Sequence, residues 1–195
     1  FIHTNFKQKG TFLALGAELK SSFCIYKDGL LMVSPYIGDL KNVATFDRFK
    51  DIFTLFETTY NLKIEKVIAD LHPNFLNTKW AKDQGFELVH LQHHYAHLLS
   101  VIFENDLADK KYLGFCFDGT GYGEDGKIWG GEVFRLDKKK YERVYHFDEF
   151  SLFGGENSIK NIYLIAYSII LKYSLEDEAS KFLVNFDEKM LANFK

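Results

Sequence analysis

Two stretches of the chain, a hundred positions apart, open with the same order of elements, and this repetition constrains the fold more than any other feature. Leu13-Ala-Leu-Gly-Ala-Glu18 and Leu113-Gly-Phe-Cys-Phe-Asp118 are both short apolar runs that end in an acid. Each is followed by a small-residue turn, a second segment and a glycine-marked hairpin. Self-similarity at a fixed spacing is the mark of a repeated architecture. It predicts two related lobes, residues 11–108 and 109–195, with a boundary near Asp106 to Lys110 and a lead-in over residues 1–10. Facing lobes enclose a cleft, and clefts between domains are where ligands usually bind.

Within the first repeat, Phe12 to Ala17, Phe23 to Tyr26 and Leu30 to Val33 read as consecutive strands, the last two joined at the turn Lys27-Asp28-Gly29. Between Thr45 and Tyr60 the residues Phe46, Phe49, Ile52, Phe53, Leu55 and Phe56 recur at the three-and-four spacing of an amphipathic helix. Val67 to Leu71 predicts a strand, Phe75 to Gln84 a helix and Phe86 to Leu91 another strand. Strands alternating with helices lie parallel in one sheet. The second repeat continues with strands near Trp129 to Arg135 and Tyr141 to His146, then only with helical stretches, Ile159 to Tyr173 and Leu175 to Phe186. The second lobe is therefore expected to be incomplete.

Charge and composition narrow the function. The net charge is −3 and no run of Lys and Arg interleaves with aromatics, so nothing here is built to neutralise a phosphate backbone, and nucleic acid is not an expected partner. The longest apolar run, Ile162 to Leu171, is about half the roughly 20 residues a membrane helix needs, and no signal peptide opens the chain. Cys24 and Cys116 are isolated, which fits a reducing compartment. A cytoplasmic protein without a membrane partner is expected. Because it opens on Phe1 rather than Met, the chain reads as a segment of a longer protein.

Four of the seven histidines crowd into Val89-His-Leu-Gln-His-His-Tyr-Ala-His-Leu-Leu-Ser-Val101. The helical spacing from Tyr95 to Phe103 starts a helix at the histidines, so His93 and His97 stand at i and i+4 on one face, both able to reach a single ion. His90 falls on the preceding strand, and His94 points about 100° away from His93 around the helix. This is not HExxH, because His94 occupies the position of the glutamate that would act as base. A catalytic metal needs a third protein ligand, for which a carboxylate is the natural choice. The plain alternative is that some of these rings are packing or capping groups.

Three further segments carry candidate binding residues. After Asp118, the glycines Gly119 and Gly121 flank Thr120 and let the backbone approach an anion, while Asp118 can hold a metal-bound water or a ligand hydroxyl. Glu124 to Lys127 reads as a simple hairpin turn around Asp125-Gly126. No Walker lysine and no dinucleotide fingerprint is present. In the first repeat Glu18 and Lys20 share side-chain parity, so both can face the cleft, Lys20 towards a phosphate; a solvated strand end is the alternative. Gly154, Gly155 and Glu156 precede the helix at Ile159, where an acid either meets a ribose hydroxyl or caps the helix.

Taken together, "LALGAELKSSFC", "YIGDLKN", "ADLHPNFLNTKWA", "LQHHYAH", "FDGTGYGEDGKIWGGE" and "LFGGENSIK" resemble, in order and spacing, the carbamoyltransferase domain of the hydrogenase maturation family HypF. The resemblance spans Thr11 to Lys160. It implies an α/β fold of duplicated actin- and Hsp70-like (ribonuclease H-like) lobes, similar to the threonylcarbamoyltransferases of tRNA modification. In such proteins an upstream domain makes carbamoyl-adenylate from ATP and carbamoyl phosphate, and this domain passes the carbamoyl group to the C-terminal cysteine of HypE. Carried over by position, His93 and His97 bind a divalent metal, Zn or Fe; Asp118, Gly119, Thr120 and Gly121 line the substrate loop; Glu18 and Lys20 form the opposing wall. Gly154, Gly155 and Glu156 take the nucleoside side, with Asp118 and Lys20 nearest the chemistry. After Lys160 the chain departs from the family's Arg-Glu-Pro-like stretch, with Asn161-Ile-Tyr-Leu in its place. The resemblance also places the third metal ligand beyond these residues, so the 195 residues alone are expected to be inactive. A small-molecule kinase of the same superfamily, using Mg²⁺ on carboxylates, and a docking module for HypE are the competing readings.

Overall fold

Alternating burial along the early strands builds the first sheet. β1 (Ile2–His3), β2 (Thr11–Leu15), β3 (Phe23–Lys27) and β4 (Leu30–Val33) are followed by α1 (Val43–Thr59), β5 (Lys66–Asp70), α2 (Leu76–Asp83), β6 (Leu88–Leu91) and α3 (His93–Glu104). Leu13, Leu15, Phe23, Ile25, Met32 and Val67 put their side chains into one core, completed by Phe49 and Phe53 of α1. The Phe23 ring meets Phe49, Phe53 and Phe56 edge-on at 5.7, 6.1 and 5.5 Å, the favoured aromatic geometry. Burying such side chains is worth about 1.5–3 kcal/mol each, which is why the three-and-four spacing of α1 is so legible. The hairpin between β3 and β4 turns on Asp28 (φ 47°) and Gly29 (φ 95°), both in the left-handed region that a two-residue turn demands.

The sheet order is β1-β4-β3-β2-β5-β6, with β2, β5 and β6 parallel and the remaining pairs antiparallel. An antiparallel meander continued on its first strand by parallel neighbours is the arrangement expected for an actin- and Hsp70-like lobe. Residues 1–10, read from sequence as a lead-in, contribute β1 to the edge through Ile2 opposite Leu31.

The computed structural model describes residues 1–6, 8–107, 110–137 and 140–175, which fall into two units, 1–146 and 147–195. The first unit also holds the start of the second repeat: β7 (Lys111–Cys116), β8 (Gly121–Tyr122), β9 (Ile128–Trp129), β10 (Glu132–Asp137) and β11 (Lys140–His146). The order β11-β10-β7 repeats the meander β4-β3-β2, and β8 and β9 form a separate hairpin inserted after β7. A second core of Cys116, Trp129, Phe134 and Leu136 receives Tyr95 and Leu98 from α3. Gly114 allows this approach, since a Cβ there would come within 2.7 Å of Leu98 Cδ1.

In the second unit the single helix expected over Ile159 to Tyr173 is instead two, α4 (Glu156–Lys160) and α5 (Ile162–Tyr173). Asn161 breaks them, with φ −117° and ψ 80°; its side chain amide donates to the Asn157 carbonyl while its own carbonyl accepts from the Leu164 N–H. Of the expected helix Leu175 to Phe186, Leu175 is not helical and the remainder lies outside the described residues. Among the described residues no helix is long and apolar enough to cross a membrane.

Candidate metal centre

Parallel pairing of β5 with β6 sets Asp70 opposite Leu91, and α3 begins two residues further on. Gln92 caps that helix by accepting the Tyr95 N–H at 2.9 Å, while its amide Nε2 donates to the Tyr122 carbonyl and meets His94 Nδ1 at 3.1 Å. The cap fixes where the first turn starts and so where His93 and His97 point. Their rings stand 4.9 Å apart between centroids, with the two Nε2 atoms 3.3 Å apart.

Asp118 reaches the same place from the loop after β7. Its Oδ2 lies 2.9 Å from His93 Nε2 and 3.5 Å from His97 Nε2. These three atoms form a group able to hold one ion. A tetrahedral ion with ligands at roughly 2.0–2.1 Å holds its donor atoms about 3.3 Å apart, so the triangle has the right size. The sequence reading placed the third ligand beyond these residues, and the structure offers Asp118 as a candidate within them. α3 packs against β7, and the residues that follow that strand carry a carboxylate back over the first turn of the helix.

His93 also has a partner on its other side, Asp70 Oδ2 at 2.7 Å from Nδ1. This contact holds the His93 pKa above the ordinary histidine value, against the effect of burial. His94 does something else. It is fully buried, stacked 6.5 Å from Phe134, and burial pushes its pKa down. His90 rests its Nδ1 3.0 Å from the Asp70 carbonyl. The dense cluster thus resolves into two rings at the candidate centre, one in the core and one on the strand.

The glycine segment is only partly a ligand surface. Gly119 and Thr120 are exposed, and the Gly119 N–H is taken up by Asp118 Oδ1 at 2.9 Å. Gly121 is buried against α3, where a Cβ would meet His94 Cε1 at 2.6 Å and His93 Cβ at 2.9 Å. Its lack of a side chain lets the β8–β9 hairpin close on the histidine helix. Glu132, 1 % exposed, braces the same loop: Oε1 accepts the Gly130 N–H at 2.9 Å and Oε2 accepts from Arg143 Nε at 2.5 Å.

In the first repeat β2 ends at Leu15, so the shared parity of Glu18 and Lys20 does not persist. Glu18 is buried and its Oε1 accepts the Leu76 N–H at 3.1 Å, at the positive end of α2, with Lys41 3.9 Å away. Lys20 is exposed at φ 50°. The two are divided between a helix cap and the surface. In the second unit Gly154 and Gly155 take positive φ, 81° and 58°, leading into α4, whose first residue is Glu156. Sequence reasoning missed Asp70, Gln92 and Glu132. The signal available for Asp70 was an acid ending a strand predicted to lie parallel to the one that delivers the histidines.

Comparison with known proteins agrees with this architecture. Residues 7–104 match the family described as HypF Kae1-like domain, and residues 114–194 the second subdomain of the carbamoyltransferase Kae1-like domain. The chain is 34% identical to the carbamoyltransferase HypF of Synechocystis sp. over 81% of its length and 21% of that protein. It is 35% identical to the probable carbamoyltransferase HypF of Methanocaldococcus jannaschii over 100% of its length and 26% of that protein. The chain therefore spans about a fifth to a quarter of these relatives. A crystal structure of full-length HypF in a phosphate- and nucleotide-bound form superposes with a TM-score of 0.90 at 33% identity, over 98% of this chain and 25% of that one. The T. kodakarensis HypF structure gives a TM-score of 0.70 at 36% identity, over 80% of this chain and 21% of that one. Repeated meanders, paired histidines and these likenesses agree: the fold is of the actin- and Hsp70-like class, and the chain belongs to the HypF Kae1-like domain family.

Proposed function

We propose that the chain is the carbamoyl-transfer domain of a cytoplasmic hydrogenase maturation protein, moving a carbamoyl group from carbamoyl-adenylate to the C-terminal cysteine thiol of a HypE-type partner. The observation that supports this reading is the convergence of His93 Nε2, His97 Nε2 and Asp118 Oδ2. Two imidazoles and one carboxylate suit either Zn²⁺ or Fe²⁺. A divalent ion bound by them would supply Lewis-acid stabilisation of the charge on the adenylate phosphate.

The chain's own residues do the rest. His93 and His97 would offer their Nε2 atoms to the ion from one helical face, and Asp118 closes the triangle from the second repeat. Gly119 and Thr120, exposed beside Asp118, form the rim along which the adenylate lies. Gly121 keeps that rim seated on α3. Lys20, exposed on its turn, neutralises phosphate charge, while Glu18 shapes its wall by holding the start of α2. Gly154, Gly155 and Glu156 supply the nucleoside side. The partner's thiolate attacks the carbamoyl carbon, the bond from that carbon to the phosphate oxygen breaks, and AMP departs with the electron pair. We further propose that residues 11–108 and 109–195 are the two lobes of the domain, with residues 1–10 leading in.

The test uses the full-length protein with ATP, carbamoyl phosphate and a peptide ending in cysteine. The expected product is a thiocarbamate on the peptide, lost in His93→Ala and Asp118→Ala. Unchanged thiocarbamate yield in both variants would overturn the site assignment, and phosphorylation of an added small molecule in place of thiocarbamate would favour a kinase.

A further inference from the structure

The His93 ring is held between two carboxylates that are not equivalent. Asp70 Oδ2 sits 2.7 Å from Nδ1 and Asp118 Oδ2 sits 2.9 Å from Nε2. The Asp70 side chain is 8 % exposed and that of Asp118 38 %. The Nδ1 side is therefore dry and closed, while the Nε2 side is open where an ion would enter. Asp70 is itself fixed, because its Oδ1 accepts the His72 N–H at 2.8 Å. With one oxygen committed to the backbone, the other is left with a single direction, towards His93. Its position on the last residue of β5 makes that direction a property of the sheet rather than of a loop.

An ionised carboxylate has only acceptor capacity, so each of the two favours a proton on the ring nitrogen it faces, and the shorter, drier contact to Asp70 favours Nδ1 once the ring is neutral. A neutral imidazole protonated at Nδ1 presents its lone pair at Nε2, the atom that faces His97 and Asp118. We propose that Asp70 is a positioning residue that selects this tautomer of His93 and locks its ring plane, so that Nε2 is ready as a metal donor. This rests on the metal reading above, and it assigns to Asp70 a role that the sequence did not suggest. Outer-shell partners of this kind typically change metal affinity 10- to 100-fold when altered.

Asp70→Asn is the informative change. With its oxygen still accepting from His72, the amide turns its NH₂ towards Nδ1, which must then become the acceptor, and the proton moves to Nε2. The shape is kept and the donor is lost. Two measurements on the 195-residue chain decide the matter. Nitrogen NMR of the metal-free chain, at a pH where His93 is neutral, should show the proton on Nδ1 in the wild type and on Nε2 in Asp70→Asn. Zn²⁺ affinity, measured against a chromophoric chelator, should fall about 10- to 100-fold in the variant, with its thermal midpoint at about pH 8.5 close to that of the wild type. A wild-type His93 protonated at Nε2, or a variant that binds Zn²⁺ as tightly as the wild type, would overturn the proposal. If the wild type itself fails to bind Zn²⁺, the metal reading falls, and the tautomer measurement still decides what Asp70 does. Should the variant not fold, the wild-type spectrum alone carries the decision.

Discussion

Gly121 lies against His94 so closely that a Cβ at that position would stand 2.6 Å from the ring Cε1. The contact couples the loop that carries Asp118 to the helix that carries His93 and His97, because the backbone of β8 is the surface on which α3 rests. Gly121→Ala must push one away from the other. Overpacking of this sort costs about 1–3 kcal/mol, and the shift opens the donor triangle. The expected outcome is a lower denaturation midpoint together with weaker Zn²⁺ binding. A variant with unchanged midpoint and unchanged affinity would show that the hairpin does not set the site.

Glu18→Gln separates capping from substrate contact. The carboxylate accepts the Leu76 N–H at the start of α2, and a charge at a helix N-terminus is worth about 0.3–1 kcal/mol, rising to ~2 when partly buried. Urea denaturation should show a loss of about 1 kcal/mol, with Zn²⁺ affinity of the chain unaltered. A large change in metal affinity would move Glu18 into the centre itself.

How much of this was legible beforehand differs from feature to feature. Strands and helices of the first repeat were readable because Phe23, Phe49 and Phe53 bury themselves at regular spacings. The pairing of His93 with His97 followed from helical geometry alone. Asp118 was readable as an acid at a strand end, but its approach to the two rings is a tertiary fact, created when α3 packs on β7. Asp70 was hidden for the same reason: its partner lies on the neighbouring parallel strand's continuation, and nothing local distinguishes it from any acid before a turn. Glu18 and Lys20 do not share a face because β2 ends at Leu15, and alternation holds only while the backbone stays extended. The split of α4 from α5 was not legible because a single Asn does not by itself end a helical pattern; Asn161 does so through its backbone, at ψ 80°.

Glu132 and Arg143 form an ion pair whose side chains are 1 % and 18 % exposed. Removing one partner of a buried pair leaves an uncompensated charge and costs about 3–5 kcal/mol. Arg143→Met should therefore destabilise the chain strongly in urea, and Glu132→Gln with Arg143→Met should recover much of the loss. Single variants within about 0.5 kcal/mol of wild type would mean that the pair is solvated in solution.

A pH series isolates the buried contact of His93. In the metal-free chain Asp70 raises the His93 pKa above its unfolded value, with Asp118 adding to the effect; His97 and His94 on the same helix are the other titratable groups facing it. A raised folded pKa contributes stability that is fully present below the unfolded value of about 6.5 and fades as pH rises through the folded value. His94, whose pKa is lowered by burial, works in the opposite sense. Comparing wild type with Asp70→Asn leaves the burial of His94 in place in both proteins. The difference in thermal midpoint should be largest near pH 5.5 and shrink towards pH 8.5; a difference that grows with pH would contradict the contact.

X-ray absorption at the zinc edge of the chain, loaded with one equivalent of Zn²⁺, tests the centre most directly. A first shell with two imidazole nitrogens and one carboxylate oxygen is predicted, with one imidazole missing in His97→Ala. A shell without imidazole scattering, or an ion that washes away from the wild-type chain, would contradict the account.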